Sequence, residues 1–176
     1  MDHAINRTWL ITWTTKGTWL PGDRRDWVSD EKTGRSQSPI RAPSEALEGW
    51  SRGKMKSDPV WLVRAQAERV LQSFKETAVF FEWWLGAAAI MANHVHVVVT
   101  VEADPEPTWM LSKFKSYASR DLNRIFGPRD WWTRSGSTRK LADIRAIQLA
   151  MRYVRDQKGV LASYLGEVPG LNDLDG

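Results

Sequence analysis

Apolar and polar positions alternate over residues 7–17, RTWLITWTTKG, a stretch rich in Thr, Trp and Ile, and this predicts a β-strand. The alternation then stops. Residues 21–60 hold PGDRRD, KTGRSQSPIRAPS and SRGKMKSDP, which are rich in Gly, Pro and Ser and keep no period. They predict a loop-rich excursion with a little helix near SEALEGW. Helical spacing takes over in DPVWLVRAQAERVLQSFKETA, where Val63, Ala67, Val70, Leu71 and Phe74 share one face and Ser57 or Asp58 signals the start. Two apolar runs follow, FFEWWLGAAAI and HVHVVVTVE, predicted as adjacent strands with MAN as the turn between them. Pro105 and Pro107 close that unit. A helix is predicted over 108–126, with Leu111, Phe114, Ala118, Leu122 and Ile125 on its apolar face and Gly127 as its end. PRDWWTRSGSTRKLAD is predicted as a loop with room for a short strand. DIRAIQLAMRYVRDQKG then predicts a last helix, capped by Asp143 and stopped by Gly159.

The order β, excursion, α, β, β, α, (β), α fits an α+β fold. The arrangement expected is a ferredoxin-like split βαβ, an antiparallel sheet with its helices on one face. The length of 176 residues suits one domain spanning 1–176, and no internal repeat divides it. The excursion at 21–60 and an acidic tail at 166–176, expected to be mobile, complete that description.

Composition narrows the chemistry. With no cysteine, disulfides, thiolate metal sites and cysteine nucleophiles are excluded. No apolar run reaches membrane-span length, and MDHAINRTW lacks the layout of a signal peptide, so a cytoplasmic protein with no membrane partner is expected. The net charge is only +4, but it is concentrated: Lys113 to Lys158 carries 12 Lys/Arg against four acids. Among the 11 tryptophans, Trp131 and Trp132 lie beside Arg129 and Arg134, and Trp19 and Trp27 lie near Arg24 and Arg25. A basic segment interleaved with aromatics is suited to a nucleic-acid backbone, with the indoles available to stack on unpaired bases. A charged, solvated helix surface is the plainer alternative.

Two candidate constellations stand out. In MANHVHVVVT the side chains alternate between faces, so Val95, Val97 and Val99 share the core face while His94 and His96 share the other. That pair is either a metal-binding site or a half-solvated decoration of the strand. On the last helix Ile147, Ala150, Met151 and Val154 form the apolar stripe, Tyr153 sits at its margin, and Gln157 follows one turn later. On the preceding helix Lys113, Arg120 and Arg124 surround Tyr117, a basic stripe with a second tyrosine.

NHVHVVV resembles the HUH motif of HUH-superfamily tyrosine transposases, and RYVRDQKGVLA, whose Tyr153 lies 57 residues after His96, resembles their tyrosine helix. SKFKSYASRDLNRIFG and DWWTRSGS are similar to the segments found between the two. The resemblance spans roughly residues 5–165 and points to the REP-associated and insertion-sequence single-tyrosine types. It implies that Tyr153 is the nucleophile, that His94, His96 and Gln157 are metal ligands, and that the cation is Mg²⁺ or Mn²⁺. It further implies single-stranded or hairpin DNA as partner and a homodimer. The expected DNA contacts are Lys113, Tyr117, Arg120, Arg124, Arg129, Trp131, Trp132 and Arg134.

Such a protein would cut and rejoin a DNA strand through a covalent phosphotyrosine. Two other readings stand beside it. One is a module of the same fold that binds a DNA or RNA hairpin without cutting. The other is a metal-dependent hydrolase in which water attacks and Tyr153 belongs to the core.

Overall fold

The computed structural model describes residues 7–18, 27–28, 40–41, 44–54 and 58–168. Its elements in chain order are β1 (Thr8–Thr14), β2 (Trp27–Val28), β3 (Ile40–Arg41), α1 (Glu45–Gly53), α2 (Arg64–Phe80), β4 (Trp84–Met91), β5 (His94–Thr100), α3 (Pro107–Phe126), β6 (Ser137–Leu141), α4 (Ile144–Arg155) and β7 (Val160–Leu165). Five strands form one sheet in the order β6-β1-β5-β4-β7, and every neighbouring pair is antiparallel. The units β1-α2-β4 and β5-α3-β6 are two interlocked split βαβ units, so the expected ferredoxin-like α+β arrangement is present, extended by β7 at the β4 edge.

One detail differs from the sequence expectation: the helices do not all share a face. Residues of α2 and α3, among them Val70, Phe74, Phe114 and Ala118, join Ile11, Trp13, Val95, Val97 and Val99 in one core. Ile147, Ala150, Met151 and Val154 of α4 join Ala87, Ala89 and Val98 in a second core on the opposite face. Topology supplies the reason. β5, β6 and β7 all run the same way. α3 carries the chain across the sheet from β5 to β6, and α4 carries it back from β6 to β7. Right-handed crossovers in opposite directions must pass over opposite faces.

The α2/α3 core is aromatic. Trp13 packs on Phe74 at 5.5 Å, Phe74 on Phe114 at 5.3 Å, and Trp132 meets Trp13 edge-on at 5.9 Å. The α4 core is aliphatic, with Ala87 and Ala89 of β4 beneath Ile147, Met151 and Val154 of the helix. Between them and the β4 start, Gly86 sits at a register shift where a Cβ would lie 2.7 Å from Val168 Cγ2 and 3.1 Å from Met151 Sδ.

Several boundaries move. α2 begins at Arg64 and not near Ser57, because the chain before it is held extended: the Val60 and Leu62 amides donate to Lys16 O and Ala92 O at 2.8 and 2.7 Å, and both side chains are buried. The short helix expected near SEALEGW is α1, capped by the Ser44 hydroxyl. Asp143 caps α4 by accepting from the Ala146 amide at 2.7 Å, as its position predicts. β7 was not anticipated. Trp19, most of 21–43 and the tail beyond 168 lie outside the described residues, as do the side chains of Trp27 and Val28. Among the described residues no helix is long and apolar enough to cross a membrane.

Candidate active site

The register of the sheet builds the site. Thr12 of β1 lies opposite His96 of β5, and Ala89 of β4 flanks it on the other side. His96 therefore stands in the middle of the sheet on the face that α4 crosses, and it is only 5% exposed. The face that the sequence leaves as solvated or functional is in fact covered, apart from its His94 end.

Each imidazole is oriented by a neighbour. His96 Nδ1 lies 2.8 Å from Thr12 Oγ1, and His94 Nδ1 lies 2.7 Å from Asn93 Oδ1. An amide oxygen only accepts, so His94 carries its proton on Nδ1 and donates it there. The other nitrogen of His96, Nε2, is buried and has no hydrogen-bond partner. Burial, and then the neighbouring His94, push the His96 pKa down to about 4, so this ring is neutral at physiological pH. The two rings lie 5.0 Å apart, edge to face.

Tyr153 completes the group. Its ring meets His96 edge-on at 5.1 Å while half of the residue stays exposed. The helical stripe places it so: Ile147, Ala150, Met151 and Val154 are all buried, and Tyr153 flanks them. A cavity of about 880 Å³ opens beside it, and its walls include Thr12, His94, His96, Ser137, Arg139, Arg145 and Tyr153.

The structure brings together three of the four residues expected at the centre. Gln157 is not among the cavity walls, and its amide nitrogen donates to the Tyr153 carbonyl at 3.0 Å. Past the last turn of α4, an amide side chain folds back on the free carbonyls of the helix end. Among the described residues no three His, Asp or Glu side chains cluster as a metal site.

The residues expected to hold DNA divide differently from their order in sequence. α3 lies on the other face of the sheet, so Lys113, Tyr117, Arg120 and Arg124 are separated from the histidines by the sheet itself. Tyr117 packs against Phe80 and Phe81 with the Arg120 guanidinium over its ring at 4.7 Å. Lys113 lies over Trp109, and Arg124 pairs with Asp121. Arg129 donates to the Asp58 and Pro59 carbonyls, and Arg134 lines a separate cavity with Lys115.

Trp131 and Trp132 are 3% and 8% exposed, which corrects the expectation that they stack on bases. Their indole nitrogens donate inward, to Asn123 Oδ1 and to the Lys115 carbonyl. Adjacent charges in sequence concealed two core residues. Conversely, Arg139 and Arg145 stand out in the sequence only as part of a charge count. The signal for Arg139 was the two-residue alternation of Ser137, Arg139 and Leu141 on an edge strand.

The site is thus an imidazole pair on a ferredoxin-like sheet, faced by a tyrosine from a crossing helix. Residues 56–157 match the family model described as "Transposase IS200 like", and the chain belongs to that family. This agrees with the resemblance read from the motifs. Two solved structures are similar to this chain. One is a REP-associated tyrosine transposase bound to a REP hairpin, 12% identical with a TM-score of 0.49, the match covering 88% of this chain and 67% of that one. The other is a chain named as a transposase from Deinococcus radiodurans R1, 11% identical with a TM-score of 0.47, covering 89% and 95%. No curated protein matches the chain.

Proposed function

We propose that this transposase-family protein cuts and rejoins single-stranded DNA through a covalent bond to Tyr153. The observation that carries the reading is the packing of the Tyr153 ring on His96 at the wall of an open cavity. Tyr117, the tyrosine of the basic stripe on α3, is across the sheet and packed against phenylalanines.

Bonds and protons balance in a single exchange. The Tyr153 oxygen attacks the phosphorus, the new ester forms, and the bond to the 3′ oxygen breaks. The proton lost by the phenol is matched by the one gained by the released 3′-hydroxyl. Because one ester replaces another, the reverse attack by a 3′-hydroxyl rejoins the strand without an external energy source.

The donor set fits a divalent cation in part. With the His96 proton on Nδ1 and donated to Thr12, Nε2 offers a buried lone pair that no protein group uses. His94 and His96 would hold the ion, and the shortage of further protein ligands leaves room for phosphate oxygens and water. Mg²⁺ or Mn²⁺ bound there would neutralise charge on the non-bridging oxygens of the phosphate.

The test is a denaturing gel after mixing the protein with single-stranded DNA and Mg²⁺ or Mn²⁺. The wild type and Tyr117→Phe are expected to give a covalent adduct, and Tyr153→Phe none. An adduct that survives Tyr153→Phe and vanishes in Tyr117→Phe overturns the assignment. No adduct from the wild type would favour a hairpin-binding module that does not cut.

A further inference from the structure

Arg139 and Arg145 line the same cavity as His96 and Tyr153. We propose that these two arginines form a seat for a backbone phosphate of the DNA strand, flanking the one that Tyr153 attacks. The proposal rests on the reading of the cavity as a single-strand site and adds where the strand lies in it.

Three observations support the seat. First, the two guanidiniums are uncommitted. Both residues are exposed, and neither forms an ion pair among the described residues. The cations across the sheet are engaged instead: Arg124 with Asp121, Arg120 over Tyr117, and Lys115 with the carbonyls of Thr133, Arg134 and Ser135.

Second, the backbone aims them at one place. Arg139 shares the α4 face of β6 with Ser137 and Leu141, while Lys140 turns to the other face and covers Trp9 at 5.7 Å. Arg145 stands in the first turn of α4, where the helix dipole already presents positive charge. A cation there is disfavoured locally, and an anion between it and Arg139 reverses that sign. Asp143, the acid in the cavity wall, is occupied in capping the Ala146 amide.

Third, the cavity contains a polar atom that awaits a partner, the buried Nε2 of His96. The cavity is therefore polar in two places, with arginines at the β6 edge and imidazoles over β5.

Spacing separates the two phosphates. Arg145 and Tyr153 are eight residues apart on α4, about 12 Å along the axis at 1.5 Å per residue. That is several times the about 3.4 Å axial step between nucleotides of a stacked strand. The arginine seat thus holds a flanking phosphate, and the strand runs from the β6 edge inward toward β5.

The test measures binding apart from chemistry. Fluorescein-labelled poly(dT) is titrated with protein in EDTA over a series of NaCl concentrations, read by anisotropy. Each neutralised phosphate contributes about 0.7 to the log–log salt slope on single strands. Arg139→Ala and Arg145→Ala are each expected to weaken binding and lower the slope by up to that amount. Arg139→Lys and Arg145→Lys are expected to restore the slope, and Arg120→Ala and Arg124→Ala to leave it at the wild-type value. Circular dichroism checks folding, with Arg139→Gln and Arg145→Gln replacing any alanine variant that fails it. An unchanged slope in folded Arg139 and Arg145 variants, or no binding by the wild type, overturns the seat. If the slope falls but the wild type forms no adduct with Mg²⁺, the seat stands and the covalent reading fails. If the adduct forms and the slope is unchanged, the covalent reading stands and the seat fails.

Discussion

The two faces of the sheet are built from different residues. Under α2 and α3 the interior is dry and aromatic, with Trp13, Phe74, Phe114 and Trp132 meeting ring to ring. Under α4 the interior is aliphatic, made of alanine, valine, leucine, isoleucine and methionine, and it gives way at one end to threonine, histidine and arginine around a cavity. The large buried aromatic side chains are on the first face, and the histidines, Tyr153 and the cavity arginines are on the second. Mutations should therefore separate by face.

The largest loss of stability is expected from the aromatic face. Phe114→Ala or Trp132→Ala should cost about 3–5 kcal/mol in urea unfolding, as large-to-small changes in packed cores do. Leu149, exposed in the cavity wall, should tolerate alanine to within about 0.5 kcal/mol. Equal losses at the two sites would erase the distinction.

A smaller effect with a definite sign belongs to His96. Its folded pKa is about 4, against about 6.5 unfolded, so the unfolded chain binds the extra proton between those values. Stability from this group is complete above pH 6.5 and is lost as pH falls toward 4, by about 3 kcal/mol in metal-free buffer. Asp121 also loses stability in acid: burial raises its pKa, but Arg69 and Arg124 more than offset this and hold it below the usual range. The His96 share is read as the difference between wild type and His96→Gln across the titration. A His96→Gln variant with the full acid dependence of the wild type would place the effect elsewhere.

The smallest effect is expected at the α3 surface. Arg124→Ala removes an exposed pair with Asp121, which is worth about 0–1 kcal/mol. A loss well above that in thermal unfolding would show that the outer side of the aromatic face carries structure too.

Much of this division was legible in sequence. Val95, Val97 and Val99 against His94 and His96 followed from strand alternation alone, and the α4 stripe with Tyr153 at its edge followed from helical projection. What the pattern could not say was which side of the sheet a helix would take. That depends on where the chain goes next, and the next element was β7, an edge strand whose sequence VLASYL is only partly buried and alternates weakly. β6, STRKL, is as faint for the same reason. Without those two edges, the α3 stripe and the tyrosine helix look like neighbours in one basic region. Trp131 and Trp132 misled in the opposite way: a loop sequence carries no period, so nothing in it tells whether an indole turns inward.

The tyrosine helix is fixed at both ends. It leaves β6 through Ala142 and Asp143, and it enters β7 through residues 156–159, where Gly159 turns at a φ of 67°. Each connection is only a few residues long. The Tyr153 ring is therefore held beside His96 by chain geometry, at a position independent of how much protein is in solution. In the cleavage proposed above, so short a tether would keep the phenol oxygen within reach of the phosphorus through both the cutting and the rejoining step.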